Sequence, residues 1–431
     1  MPATRKRSLN ILIVALLSVA WNAAEVTAAT YYAATSGNDG NPGSLAQPFR
    51  TIRKGLSVLR AGDTLYLRAG TYAETINAND YLIPAGTSWT NPVTVAAYPG
   101  ETVIISGRGI NITNKVSVQY LIFRGDPGSY NLILDGSGLP MSNYLTIINA
   151  EGSNIRDTNI RFQNMEMRNS NNAQGVFIFA NRVEILNSKI HDVRATTAAI
   201  ANGDIQCLYM QGAYAILDGN DIYNCPAYGI QFYNGYDRTK AHSNIIRNNR
   251  IHNTSAGPYG GGGGGLIVGS GGNNLVYNNI LFNNPGGGIH VGYGGSGNQI
   301  YNNTIYNSGE IGFALDINNV SNTLVKNNIL YQNRYDIKDG TGSTTYQRNL
   351  CGTVSAKCEF AGDPRFVNPA GGDFRLQNTS PVIDRGVTVN VVPVDFQLTV
   401  RPRGAAYDLG AFEFGSAPGG PVVPKNVRIN P

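Results

Sequence analysis

Lys189, His191, Tyr223, Arg250 and His252 recur at matching places in successive short segments, and together they hold the side chains that an elimination reaction needs. Removing the proton beside a sugar carboxylate takes a base, a proton donor for the departing oxygen, and positive charge to hold the carboxylate. Neutral histidine, with an unperturbed pKa of about 6.5, suits the base. In this reading Lys189 or Arg250 neutralises the acid, His191 or His252 takes the proton, and Tyr223 between them protonates the leaving oxygen. Phe282, Tyr306 and Tyr331 occupy the same place in the next segments, where rings can stack on sugar faces. His290, on a different strand, is a further candidate for substrate binding, and Asp237 to His242 form a charged loop that could wall a groove. The charges also have a plainer use. Glu166, Lys189, Asp221 and Arg250 alternate in sign, and such cross-strand pairs stabilise a sheet without doing chemistry.

What must position these groups is a repeat. Seven times between Met167 and Leu330 an apolar residue is followed two positions on by Asn, Asp or Gln, at steps of 23, 32, 29, 30, 24 and 25 residues. Asn-Asn precedes the apolar residue at 248–249, 278–279, 302–303 and 327–328. A unit this short cannot bury its own apolar face and must stack on its neighbours. Asn tolerates bends and left-handed backbone, and stacked amides hydrogen-bond along a ladder. Second strand signals follow Gly175, Gly229, Gly265, Gly288 and Gly312, with alternation that turns Ile230, Phe232, Ile289 and Val291 inward. The pattern predicts an all-β, single-stranded parallel β-helix, a solenoid of about ten coils. Ile52, Leu56 and Leu59 have helical spacing, and predict a short N-terminal helix covering the open end. The glycine run 260–265 lacks the Lys-Ser or Lys-Thr of a phosphate loop and reads as a corner between coils.

Composition bounds the rest. Arg5-Lys6-Arg7, the apolar stretch from Leu9 to Trp21 and small residues at Thr27 to Ala29 read as an export signal. Losing Arg5, Lys6, Arg7 and Glu25 with it takes the formal charge from +5 to +3, a mild bias compatible with an acidic ligand. No long basic run or aromatic RNA-binding pattern points to nucleic acid, and no later segment reaches membrane-spanning length. The mature chain is therefore expected to be secreted or otherwise extracytoplasmic, off the membrane, and monomeric. Four cysteines in an oxidising compartment favour disulfides, Cys351 with Cys358 and Cys207 with Cys225, over a metal site.

The opening TSGNDGNPGSLAQPFRTI followed by AGDTLYLRAGTY resembles the start of secreted right-handed parallel β-helix proteins of the pectate-lyase-like, polysaccharide-lyase-like superfamily. SPVIDRG and the closing YDLGAFE resemble a carboxy-terminal module found on many such exported proteins. The resemblance covers nearly all of the chain beyond the leader. It implies a right-handed helix and an extracellular, acidic polysaccharide as partner, with lyase-type β-elimination first, and epimerase or glycoside hydrolase activity behind it. The alternative is a non-catalytic glycan-binding or surface matrix protein. Pectate-lyase-like members carry calcium-binding aspartates beside a catalytic Lys or Arg. No compact aspartate cluster stands in this sequence, so calcium is left open and no metal ligand is assigned. The expected organisation is a leader at 1–29, an N-terminal cap and first coils at 30–150, regular coils at 151–350, a capping segment at 351–415 and a Pro-rich tail at 416–431.

Overall fold

The computed structural model describes residues 27–113, 118–140, 144–149, 157–171, 173–196, 205–255 and 263–416. Most of the expected leader, nearly all of the tail, and residues 260–262 of the glycine run lie outside them. Each coil contributes one strand to each of three parallel sheets, here A, B and C, which hold 12, 12 and 10 strands among the described residues. One coil shows the plan: Glu184–Leu186 in sheet A, Lys189–His191 in sheet B, Leu208–Met210 in sheet C. The result is the parallel β-helix expected, wound with the right hand that parallel crossovers adopt.

Three-residue strands leave one side chain inward on sheets A and B, and these residues stack in register. Ile190, Ile222, Ile251, Leu281, Ile305 and Leu330 form the sheet B column, all buried. Sheet C points two inward per strand, such as Ile230 with Phe232 and Ile289 with Val291. The glycine run ends differently from its expectation, because Gly264–Val268 is a buried sheet C strand rather than a corner.

The corners explain the repeat. Asn169, Asp192, Asn224, Asn253, Asn283, Asn307 and Gln332 all have positive φ and end the sheet B strands. Asn and Asp enter that left-handed region more cheaply than other side chains, which is why they follow the apolar residue at a fixed distance. Between sheets A and B the connection is two residues. The first is again left-handed, as at Asn248, Asn278, Asn302 and Asn327. The second points inward, and Asn220, Asn249, Asn279, Asn303, Asn328 and Asn349 pass a side-chain hydrogen bond from each coil to the next at 2.9–3.0 Å. Asn279 also donates to the Ile246 carbonyl and accepts from the Asn249 backbone. Asn279→Ala would orphan several buried groups at about 1–3 kcal/mol each. The urea midpoint of this variant should fall by far more than that of Asn283→Ala at the half-buried corner; equal shifts would contradict a working ladder.

The short helix forms at Ile52–Leu56, capped by the Thr51 hydroxyl, with Ile52 and Leu56 buried against the first coil. Gly55 permits this approach, since a Cβ there would meet Leu65 at 2.5 Å. Both disulfides are closed, Cys207 with Cys225 and Cys351 with Cys358. After the last coil, Phe366–Asn368 and Asp373–Leu376 pair antiparallel and the chain folds back over sheet B. Asn278, Asn302 and Asn327 donate to the carbonyls of Val394, Asp408 and Val387 in this returning segment.

Candidate functional site

Sheet B brings the five expected catalytic residues onto one outer face in successive rungs. Lys189 pairs in register with Asp221 and then Arg250, while His191 pairs with Tyr223 and then His252. The rings form a column: His191 to Tyr223 at 4.5 Å, Tyr223 to His252 at 5.1 Å, His252 to Phe282 at 4.5 Å. The charges, however, answer one another. Glu166 holds Arg168 at 2.6 Å and His191 Nε2 at 3.3 Å, while Asp192 holds His191 Nδ1 at 2.8 Å. Asp221 holds His252 Nε2 at 3.1 Å and lies 3.9 Å from Arg250. Lys189 rests over the Tyr130 ring.

His191 was expected exposed and is buried, 7% accessible, because two carboxylates take both ring nitrogens. Burial works against its charged form, but the bonds to Glu166 and Asp192 and their charges outweigh it, so its pKa stands above the usual 6.5. With its charged form favoured, His191 is less available as a base. Its extra stability is complete below the unfolded value and is lost as pH rises through the folded one. The melting temperature should therefore fall with alkalinity above neutral pH, and His191→Gln should remove part of that slope; an unchanged slope would count against the pairing. Burial, then the charges of Asp221, Asp192 and Glu166, push Tyr223 up to about 12, so it keeps its proton firmly.

The expected sugar-stacking rings are also spoken for. Phe282 is 6% exposed, with Phe374 of the C-terminal segment 5.2 Å away. Tyr306 packs on Phe374 and Phe366, and Tyr331 on Phe366. An apolar strip must be covered, and the returning chain covers it.

Sheet C presents a different face. Its outward residues run in register through Phe177, Tyr209, Gln231, Ile267, His290, Asp316 and Lys338. Tyr144 stacks on Phe177 at 5.1 Å and Phe177 meets Tyr209 edge-on at 5.4 Å. Tyr236, Tyr293 and Tyr335 stand beside this row and are 83%, 40% and 46% exposed. His290 Nδ1 lies 3.3 Å from Asp316, and Lys338 reaches the same carboxylate at 4.0 Å. Burial raises the Asp316 pKa, but the bond from His290 and the charges of His290 and Lys338 more than reverse this and hold it below the usual value. His290 Nε2 is buried without a hydrogen-bond partner among the described residues, and a Cβ at Gly292 would sit 2.5 Å from it, so glycine lets the backbone pack against the ring there. Arg238, from the charged loop, lies 5.8 Å over the Tyr293 ring, which is 5.6 Å from His290. His290 and the loop, separate in the sequence, thus share a wall.

A family model described as Pel9A-like, right-handed beta helix region, matches residues 31–339. The chain belongs to this family. Pectate lyase PEL9 of Emericella nidulans is 38% identical over 82 residues, 19% of each chain, and the uncharacterized protein YwoF of Bacillus subtilis is 35% identical over 79 residues, 18% of this chain and 16% of that one. The chain thus aligns with less than a fifth of the length of these curated relatives. The crystal structure of pectate lyase Pel9A superposes with a TM-score of 0.61 at 18% identity, over 90% of this chain and 97% of that one. A complex of XylC with xylose superposes at 0.50 and 11% identity, over 89% and 98%. At such identities these likenesses show the fold.

The resemblance implies calcium held by clustered aspartates. Among the described residues no group of three or more His, Cys, Asp or Glu is placed to hold a metal. Asp316 is engaged by His290 and Lys338, and Asp339 by Thr341 and Tyr346. No helix of the described residues is long and apolar enough to cross a membrane. Asp316 and Lys338 were missed in the sequence, although Asp316 has a signal there. In Leu315-Asp316-Ile317 a polar residue stands between two buried apolar positions, in a strand that starts three residues after the Gly312 signal, while Ile337-Lys338-Asp339 carries no such alternation.

Proposed function

We propose that this Pel9A-like chain acts outside the cytoplasm on an acidic polysaccharide, by β-elimination, with the polymer lying along the outer face of sheet C. One observation carries the reading: the outward row of sheet C begins with Phe177 and Tyr209 and runs in register through Gln231 and Ile267 to His290, Asp316 and Lys338, with exposed tyrosines beside it. From Phe177 to Lys338 the six rung steps span roughly 29 Å, room for several sugar units. Exposed tyrosines bury ring area against sugar faces at small entropic cost. Lys338 and Arg238 would pair with carboxylates. Asp316 orients His290, whose Nε2 takes the proton beside the carboxylate; the double bond forms as the glycosidic oxygen leaves, taking a proton from Tyr293. The pectate-lyase name of the Emericella relative supports the reaction class. The test is a panel of pectin, alginate, chondroitin-type and neutral polymers, followed by ultraviolet absorbance of unsaturated ends and by reducing ends. Unsaturated product from an acidic polymer is expected.

A second reading is binding without cleavage. It is favoured by the screening of His290 Nε2 from solvent. Affinity for an acidic polymer with no product from any would establish it in place of the lyase.

A further inference from the structure

Two clefts meet at Gln332, on the corner between sheets B and C. One, of about 500 Å³, is bordered by Tyr331, Asp363 and Arg365, and the other, of about 470 Å³, by Glu310 and Arg334. We infer that together they form a binding site for a neutral sugar unit, apart from the sheet C face.

Gln332 breaks the pattern of its corner. It occupies the left-handed corner position, φ 57°, that six preceding coils fill with Asn or Asp. Glutamine lacks the short side chain that eases this conformation, which costs other residues roughly 1–2 kcal/mol. Its longer arm stands where both clefts are shared, and its amide makes no hydrogen bond among the described residues. Glu310 has no ion pair among the described residues, and its backbone carbonyl accepts from Arg334 Nη1 at 2.9 Å. Arg365 is spent on the Thr379 carbonyl at 2.9 Å, and its backbone N–H on Asp363. Two carboxylates and two guanidiniums balance, so the site does not select charge, unlike the Arg238 and Lys338 side of sheet C. An open amide and an open carboxylate are groups that recognise sugar hydroxyls. The Arg334 guanidinium lies over the Tyr335 ring at 5.3 Å, which joins this corner to the sheet C row. A neutral branch of an acidic polymer would fit that continuity.

The experiment titrates the full chain with cello-, manno-, xylo- and galacto-oligosaccharides by calorimetry, with saturation-transfer NMR to map contact. One neutral series should bind. Gln332→Ala or Glu310→Gln, both on exposed side chains, should weaken it about tenfold, the worth of one or two hydrogen bonds. Tyr236→Ala on the sheet C face should leave it unchanged. The inference is overturned if none of the four series binds, if both cleft variants bind as before, or if Tyr236→Ala abolishes binding instead. Neutral binding that persists when no acidic polymer is cleaved would sink the lyase reading and leave this site standing.

Discussion

Arg401→Ala should destabilise the protein by about 3–5 kcal/mol and release its C-terminal segment, because it strands a buried carboxylate. Arg401 and Glu413 are 0% and 1% exposed and meet at 2.6 Å. The same guanidinium bonds the carbonyls of Asp408 and Gly410 and the Asn278 side chain of the coils, so one residue ties the clasp together and ties it to the helix. Losing it should uncover Phe282 and Tyr306, which Phe374 now covers. Urea unfolding together with limited proteolysis would show an early transition and cleavage confined to the segment beyond Phe366. The double change Arg401→Met with Glu413→Leu should recover much of the loss, since a buried pair is weakly stabilising against apolar replacements of similar size. An Arg401→Ala protein with the parental midpoint and protease pattern would contradict a clasp held by this pair.

His290→Ala should lower turnover of the acidic polymer by a hundredfold or more, the usual worth of a positioned base, while leaving affinity nearly unchanged. Asp316→Asn should lower turnover with KM held, because it misorients the ring without removing it, and Asp316→Glu should restore part of the rate. Exogenous imidazole should rescue His290→Ala. The sheet B variants Tyr223→Phe and His252→Ala should keep most activity, since the Tyr223 ring is stacked between His191 and His252 and Asp221 holds His252 Nε2. The reverse pattern, activity lost on sheet B and kept in His290→Ala, would return the site to the face that the sequence first suggested.

The fold was legible because its signals are local. A left-handed corner demands Asn or Asp at one place in every coil, and inward alternation demands Ile, Val or Leu two positions earlier; both are written at fixed offsets around residues such as Ile251 and Asn253. The lateral neighbours on sheet B were legible for the same reason, since a repeat fixes register. What was not legible was occupancy. Nothing local shows that Glu166 and Asp192 close on both nitrogens of His191, or that Phe374, far along the chain, lies on Phe282. Long-range covering turns an exposed strip into a packing surface. The surroundings of His290 were not legible because its partners, Asp316 and Lys338, come one and two coils later on a sheet whose strands are set off by loops of unequal length.

The most direct measurement is a crystal structure of the protein with an acidic oligosaccharide of six or so sugar units, chosen from whichever polymer it binds. The account predicts sugar rings against Tyr236 and Tyr293 and a carboxylate within reach of Lys338, along the outer face of sheet C. Sugar density over Lys189 and Arg250 on sheet B, with the sheet C face bare, would contradict it.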